Sequence, residues 1–293
     1  MNKINIINPN KFAIILLITL LSAACDEISD NDRSVFYANI EDFKTEKTVL
    51  LEDFTGVNCT NCPRATAMTS DLQNALGEQL IVVSIHAGAF ATDSFRTEAG
   101  NAYQQFFYPT EKNEGYPAAM ISRTKQPADK YIEVNDAKWA TLVIKRLISL
   151  ANPNSQTPDV KLNLTVNYNQ NEGSFVVKTS ILAPQQPINA LKLQLLLTES
   201  HIISMQMGTG GGQNYEHNHI LRDAVNGIWG EDISVNVNQT VDYISEKYFL
   251  SKLNTSNAPH NSGKPENMKI VGFIYDNQTK EIIDVKEIPL IDN

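Results

Sequence analysis

The chain has 293 residues, with 33 acidic against 24 basic side chains and a formal net charge of −9 at pH 7. An apolar fraction of 42% excludes disorder throughout, and the length leaves room for two modest cores. The acidic excess, with no basic patch carrying interleaved aromatics, excludes nucleic acid as an expected partner.

Residues 1–24 combine Lys3 and Lys11 with an apolar run from Phe12 to Leu21. That run is too short to span a bilayer and suits the apolar region of a secretory signal peptide. It closes on "SAAC", and a Cys directly after small residues resembles the lipobox of bacterial lipoproteins, although Ser22 stands where Leu is usual. The resemblance implies cleavage before Cys25 and a lipid anchor on it; an ordinary signal peptide cut near Ala24 is the alternative. Removing 1–24 removes two lysines and no acid, so the mature chain is two charges more negative. Residues 25–47 then form the anchor and a tether, whose "DEISDND" resembles the surface-export signal of some Gram-negative lipoproteins.

An apolar strand is expected at "TVLLEDF" from Thr48, followed by a turn at "TG" and the pair Cys59 and Cys62. Pro63 opens a helix with Ala65, Met68, Leu72 and Leu76 on one face and Gly77 as its stop. "LIVVSI" at 80–85 is a second buried strand, so strand, helix, strand predicts a parallel crossover. Residues 88–115 read as an insertion with a helix near 99–107. "YPAAMISR" restores a short strand, and 136–151 has the helical spacing of Trp139, Val143, Leu147 and Leu150. A linker is expected at 152–158. Beyond it, alternation over 160–168, 175–182, 191–197, 241–250, 268–275 and 282–288 predicts an antiparallel, immunoglobulin-like all-β sandwich over 158–293.

The cysteine pair leaves three possibilities. A zinc half-site needs four ligands, but no Cys follows Cys62 and His86 is the only histidine in the same segment. An inert disulfide closing so short a loop contributes only about 2 kcal/mol before strain. The redox possibility rests on placement: a Cys where a strand turns into a helix meets unpaired N–H groups and the positive end of the helix dipole, which favour thiolate. Cys59 would attack and Cys62, inside the first turn, would resolve.

"VLLEDFTGVNCTNCP" resembles the active-site entry of the thioredoxin superfamily, which carries a buried acid six residues before the first Cys; Asp53 holds that place. A later cis proline facing the cysteines is the second mark, and Pro117 in "GYPAAMI" fits it. The resemblance covers 48–151 and implies an α/β thioredoxin-like domain in which Asp53 handles protons, Pro117 shapes the substrate groove, and Tyr116 and Asn58 flank it. Asn58 replaces the usual Trp, and Thr60–Asn61 the usual dipeptide. Over most of the mature chain, the leader, "EDFTGVNCTNCP", "GYPAAMISR" and "NYEHNHILRDAVNGIWGE" resemble the outer-membrane-protein-28-related lipoproteins of Gram-negative bacteria. These likenesses imply an outer-membrane lipoprotein that exchanges thiols and disulfides with envelope proteins, needs no cofactor or metal, and meets the membrane through its lipid. The alternative is a non-enzymatic binding or adhesive surface protein with an inert disulfide. His217 and His219, with His201 or Glu199, are weighed as a metal set and read instead as polar structure. "GTGGGQ" lacks the Lys-Ser/Thr of a phosphate loop and is expected to be a hairpin loop.

Overall fold

The strand β1 (Val49–Thr55) is buried along its whole length, as a run of apolar residues must be when both faces of its sheet are covered. It belongs to a computed structural model that describes residues 45–109, 115–126, 130–152, 155, 157–183, 188–253 and 262–291. The leader 1–24, Cys25 and the tether up to residue 44 lie outside the described residues.

From β1 the chain enters helix α1 (Cys62–Leu76) and returns as β2 (Leu80–His86), parallel to β1 with Val49 opposite Leu80 and Thr55 opposite His86. Helix α2 (Glu98–Phe107) follows; the Thr97 hydroxyl caps it by accepting the Gly100 N–H at 2.9 Å. Strand β3 (Ala118–Ile121) pairs antiparallel with the other edge of β1, and helix α3 (Trp139–Ala151) is entered through one 3-10 turn at Asp136–Lys138. Eleven strands come after: β4 (Lys161–Asn169), β5 (Ser174–Ala183), β6 (Ile188–Glu199), β7 (Ile202–Gln206), β8 (Gly212–His217), β9 (Ile220–Ala224), β10 (Glu231–Val235), β11 (Gln239–Ile244), β12 (Tyr248–Phe249), β13 (Met268–Asp276) and β14 (Ile282–Pro289).

Eight strands form one mixed sheet in the order β14-β13-β6-β9-β2-β1-β3, with β10 also on β6. Strand β9 lies parallel to β2 through the Ser84–Ile220 pair and antiparallel to β6. The segments on either side of 152–157 therefore share one sheet, and the described residues from 45 onward fall in one compact unit. The change of periodicity at that point marks a change of element type along a continuous sheet. One buried cluster draws Phe54, Cys59 and Cys62 together with Leu196, Phe273 and Val285 from the later strands.

A second sheet of four strands is built around β5, with β4 on one edge and β11 and β12 on the other. Its Phe175, Val177 and Ile181 meet Leu193, Leu195 and Ile270 of the large sheet in a second buried cluster, so two sheets pack face to face. A Cβ added at Gly272 of β13 would lie 2.8 and 2.9 Å from the δ-methyls of Leu164 and 3.1 Å from one of Leu195. Because those contacts are flexible side-chain ends, Gly272→Ala is expected to cost about 1–2 kcal/mol through overpacking. Urea unfolding would show it as a lower midpoint at unchanged m value.

Candidate functional site: the Cys59–Cys62 loop

Strand β1 ends at Thr55, and the chain must turn sharply to reach α1. Gly56 permits the turn, since a Cβ there would collide with the Phe90 carbonyl, to which the Asn58 N–H donates at 2.9 Å. The Cys59 N–H then closes back on the Gly56 carbonyl at 2.9 Å. Cys62 is the first residue of α1 and is joined to Cys59 by a disulfide. Asn61 stands at the cap position without a side-chain cap bond, and the first turn holds no acid. The orphan N–H groups and positive dipole end are thus uncompensated by side chains, an environment that favours a sulfur anion.

Alternation along β1 puts Leu50, Glu52 and Phe54 on one face and Leu51, Asp53 and Thr55 on the other. The first set enters the core shared with α2 and the later strands, and the second lies on the opposite face of the sheet. Asp53 is 3% exposed, and its Oδ1 has no hydrogen-bond partner. Burial, with a smaller contribution from the charge of Asp136, raises its pKa from 3.8 to about 7. Asp136 is itself buried and held by Arg64 of the first turn of α1 at 2.8 Å, so these groups surround the start of the helix.

The remaining sequence candidates take distinct places. Pro117 is buried, follows a cis peptide bond from Tyr116, and leads into β3, whose Ala118 lies opposite Phe54. Tyr116 is buried with its ring against Phe54, Phe90 and Tyr108. Asn58 is half-buried and contributes its backbone N–H. Cys25 lies outside the described residues. Both sulfur-bearing residues are covered, Cys59 at 2% and Cys62 at 1% exposure, although Thr60 and Asn61 between them are exposed.

The hairpin seated on the backbone of this loop is the part that sequence reasoning missed. The hairpin of β7 and β8 is a two-stranded sheet of its own, and its glycine-rich turn reaches over the cysteine loop. The Gln206 side chain donates to the Cys59 carbonyl at 2.9 Å and to the Gly56 carbonyl at 3.2 Å, while the Met207 N–H donates to Val57 at 2.8 Å. "GTGGGQ", expected as a hairpin loop, is that turn; nothing in its composition says what it touches.

His86, at the end of β2, stacks on Phe95 at 4.7 Å and meets His217 of β8 edge-on at 5.5 Å. Burial, then the neighbouring His217 and Arg222, hold its pKa well below the usual histidine value; burial lowers His217 to about 4. Both rings are therefore neutral near pH 7 and brace the base of the hairpin. His201 pairs with Glu216 at 2.8 Å. Among the described residues no three His, Cys, Asp or Glu side chains gather as a metal set.

Residues 100–291 match the family model described as outer membrane protein Omp28. The span includes Tyr116, Pro117 and the hairpin but not Asp53 or the cysteine pair. Among solved structures, a domain of the outer membrane lipoprotein Omp28 from Porphyromonas gingivalis matches at 22% identity, covering 45% of this chain and 88% of that one, with a TM-score of 0.28. Beta-glucosidase 3B from Thermotoga neapolitana matches at 8% identity over 46% of this chain and 16% of that one, TM-score 0.24. Beta-glucosidase from Listeria innocua matches at 12% over 45% and 16%, TM-score 0.25. Likenesses at these scores say nothing of activity. No curated protein matches the chain.

Proposed function

We propose thiol–disulfide exchange with envelope proteins as the function of this chain, which belongs to the outer membrane protein Omp28 family. Its place is the outer membrane of the cell envelope, and no helix among the described residues is long and apolar enough to cross a membrane. Anchorage through a lipid on Cys25 fits that location. Outside the cytoplasm, thiols and disulfides of neighbouring proteins are available as reactants.

One observation carries the proposal: the Cys59–Cys62 disulfide sits against the uncapped start of α1, with the buried acid Asp53 on the strand that precedes it. The order β1, cysteine pair, α1, β2, with Pro117 leading into β3 beside β1, supports a thioredoxin-like reading of the first segment. The packed sheets beyond it support a sandwich that presents the site or binds partners. In the reduced protein the Cys59 thiolate attacks one sulfur of a partner disulfide, and the partner's other sulfur leaves as thiolate and takes up a proton. The Cys62 thiol, giving its proton to Asp53, then displaces the partner and restores the ring. Two electrons pass from the cysteine pair to the partner.

An insulin-reduction assay tests this: Cys59→Ser is expected to fall to the uncatalysed rate, and equal turnover by both proteins would refute the role of Cys59. Burial of both sulfurs is the specific observation favouring the second reading, a binding or adhesive surface protein with an inert disulfide. The reduction potential separates the two. A pair far more reducing than cellular thioredoxin, at about −270 mV, with no trapped mixed disulfides, favours the inert staple.

A further inference from the structure

We propose that the β7–β8 hairpin is a gate that decides which thiols reach the Cys59–Cys62 pair, with Gln206 and Gly208 as the residues that set its selectivity. This rests on the exchange reading above. Small thiols pass the closed gate; a protein thiol enters only when the hairpin tip lifts.

The geometry is that of a latch on a hinge. At the tip, Gln206 is 5% exposed and spends its amide N–H groups on the Gly56, Cys59 and Met207 carbonyls at 3.2, 2.9 and 3.2 Å. Gly208, at φ +101°, lies so close to the Thr60 carbonyl that a Cβ could not be accommodated without moving one of the two backbones. The tip is therefore seated directly on the Cys-x-x-Cys backbone. At the base, Ile202 packs with Val57, Phe95 and Ile220 in a small separate cluster, and His217 packs on Phe95 at 5.0 Å. The hairpin joins neither larger sheet, so lifting its tip breaks no strand ladder. It requires the loss of the tip's hydrogen bonds and of the bond between Tyr215 of β8 and Thr66 of α1, each worth little net because water replaces them.

Two consequences follow for the attacking group. In the closed state Cys59 and Cys62 are almost fully covered while Thr60 and Asn61 between them, and Met207 of the hairpin tip, are open to solvent. A slender dithiol needs only a small local fluctuation, whereas a thiol carried on a protein surface needs the whole tip displaced. The electron flow is the same in both cases. An attacking thiolate bonds to Cys59 sulfur, the Cys62 sulfur leaves as thiolate and is protonated, and the attacker's second thiol, losing its proton, releases reduced Cys59.

The test uses the full chain in its oxidised form: wild type, Gln206→Ala, which removes the latch, and Gly208→Ala, which wedges the tip off Thr60. Each is reduced by dithiothreitol and, separately, by reduced thioredoxin as the protein dithiol, and free thiols at Cys59 and Cys62 are followed by maleimide labelling and peptide mapping. Both variants are expected to react about tenfold faster with thioredoxin, the effect of losing one or two net hydrogen bonds from the closed state, and less than about twofold faster with dithiothreitol. The ratio of the two rates is read within one protein, so a general loosening of the fold, which accelerates both reductants alike, overturns the gate. An unchanged ratio in both variants also overturns it and leaves the exchange reading intact. Failure of both dithiols to reduce any of the three proteins under native conditions removes the exchange reading and the gate together.

Discussion

Replacing Arg123 by Met is expected to cost about 3–5 kcal/mol of folding stability, because it strands the Glu52 carboxylate in the core. Arg123 and Glu52 are both 0% exposed and joined by two parallel hydrogen bonds, Nε to Oε2 at 2.8 Å and one terminal nitrogen to Oε1 at 2.6 Å. Burial opposes the charge on Arg123, but the Glu52 carboxylate outweighs it and raises the arginine pKa above its ordinary value. The guanidinium is also enclosed by rings: Tyr103 and Phe107 of α2 at 5.0 and 4.9 Å, Phe273 and Tyr275 of β13 at 4.9 and 5.6 Å. One charge pair thus ties β1, which leads into the cysteine loop, to β13 near the other end of the described chain. The double variant Glu52→Gln/Arg123→Met leaves no lone charge behind and should recover more than half of the single loss, since buried ion pairs replaced together are often nearly neutral. Urea unfolding of the three proteins measures this; a cost below about 1 kcal/mol for Arg123→Met alone would mean that water reaches the pair.

That pair shows why local elements were readable and their assembly was not. Apolar runs and helical spacing placed β1, α1, β2, α2, β3 and α3 to within a few residues, because each depends on its own side chains. The alternation at 160–168 and 268–275 likewise marked β4 and β13. Glu52 and Arg123 gave no such signal: a Glu in an apolar run and an Arg after a short strand look like surface charges until the two strands pair. The strands from β7 to β10 lack clean periodicity. "IISMQ" is short, "GQNYEH" is exposed on most positions, and β9 holds Arg222 and Asp223 beside only two fully buried apolar residues. Their conformation comes from partners elsewhere in the chain, β2 and β6 for β9 and the cysteine loop for the hairpin turn. The change of period across 152–158 was visible, but strand insertion of β9 beside β2, which makes the two segments one sheet, has no local signature. At the site, the Cys59–Cys62 pair was legible from its spacing, whereas the burial of Asp53 and the cis bond before Pro117 were expected from the thioredoxin resemblance. Gln206 was not legible, because a polar residue next to a glycine-rich turn reads as solvent-facing.

The pH dependence of stability is expected to carry the mark of Asp53. Its pKa of about 7 in the folded protein, against 3.8 when solvated, means that the folded state holds a proton which the unfolded chain has already released between those values. Stability from this group is therefore full below about pH 4, falls as pH rises toward 7, and is flat above it; the total loss is roughly 4 kcal/mol. Asp53→Asn cannot ionise and removes this slope. The difference in unfolding free energy, variant minus wild type, should thus rise by roughly 4 kcal/mol from pH 4 to pH 8, whatever constant offset the amide introduces. Urea titrations at five pH values would show it, and parallel curves would mean that the carboxylate is solvated or paired in the folded state. In the proposed exchange the same proton serves the chemistry. A carboxyl half-ionised near neutral pH both accepts and returns a thiol proton with little driving force lost in either direction. The exchange rate of wild type, measured with dithiothreitol, is accordingly expected to bend near pH 7, and that bend should vanish in Asp53→Asn while the thiolate-dependent rise at higher pH remains.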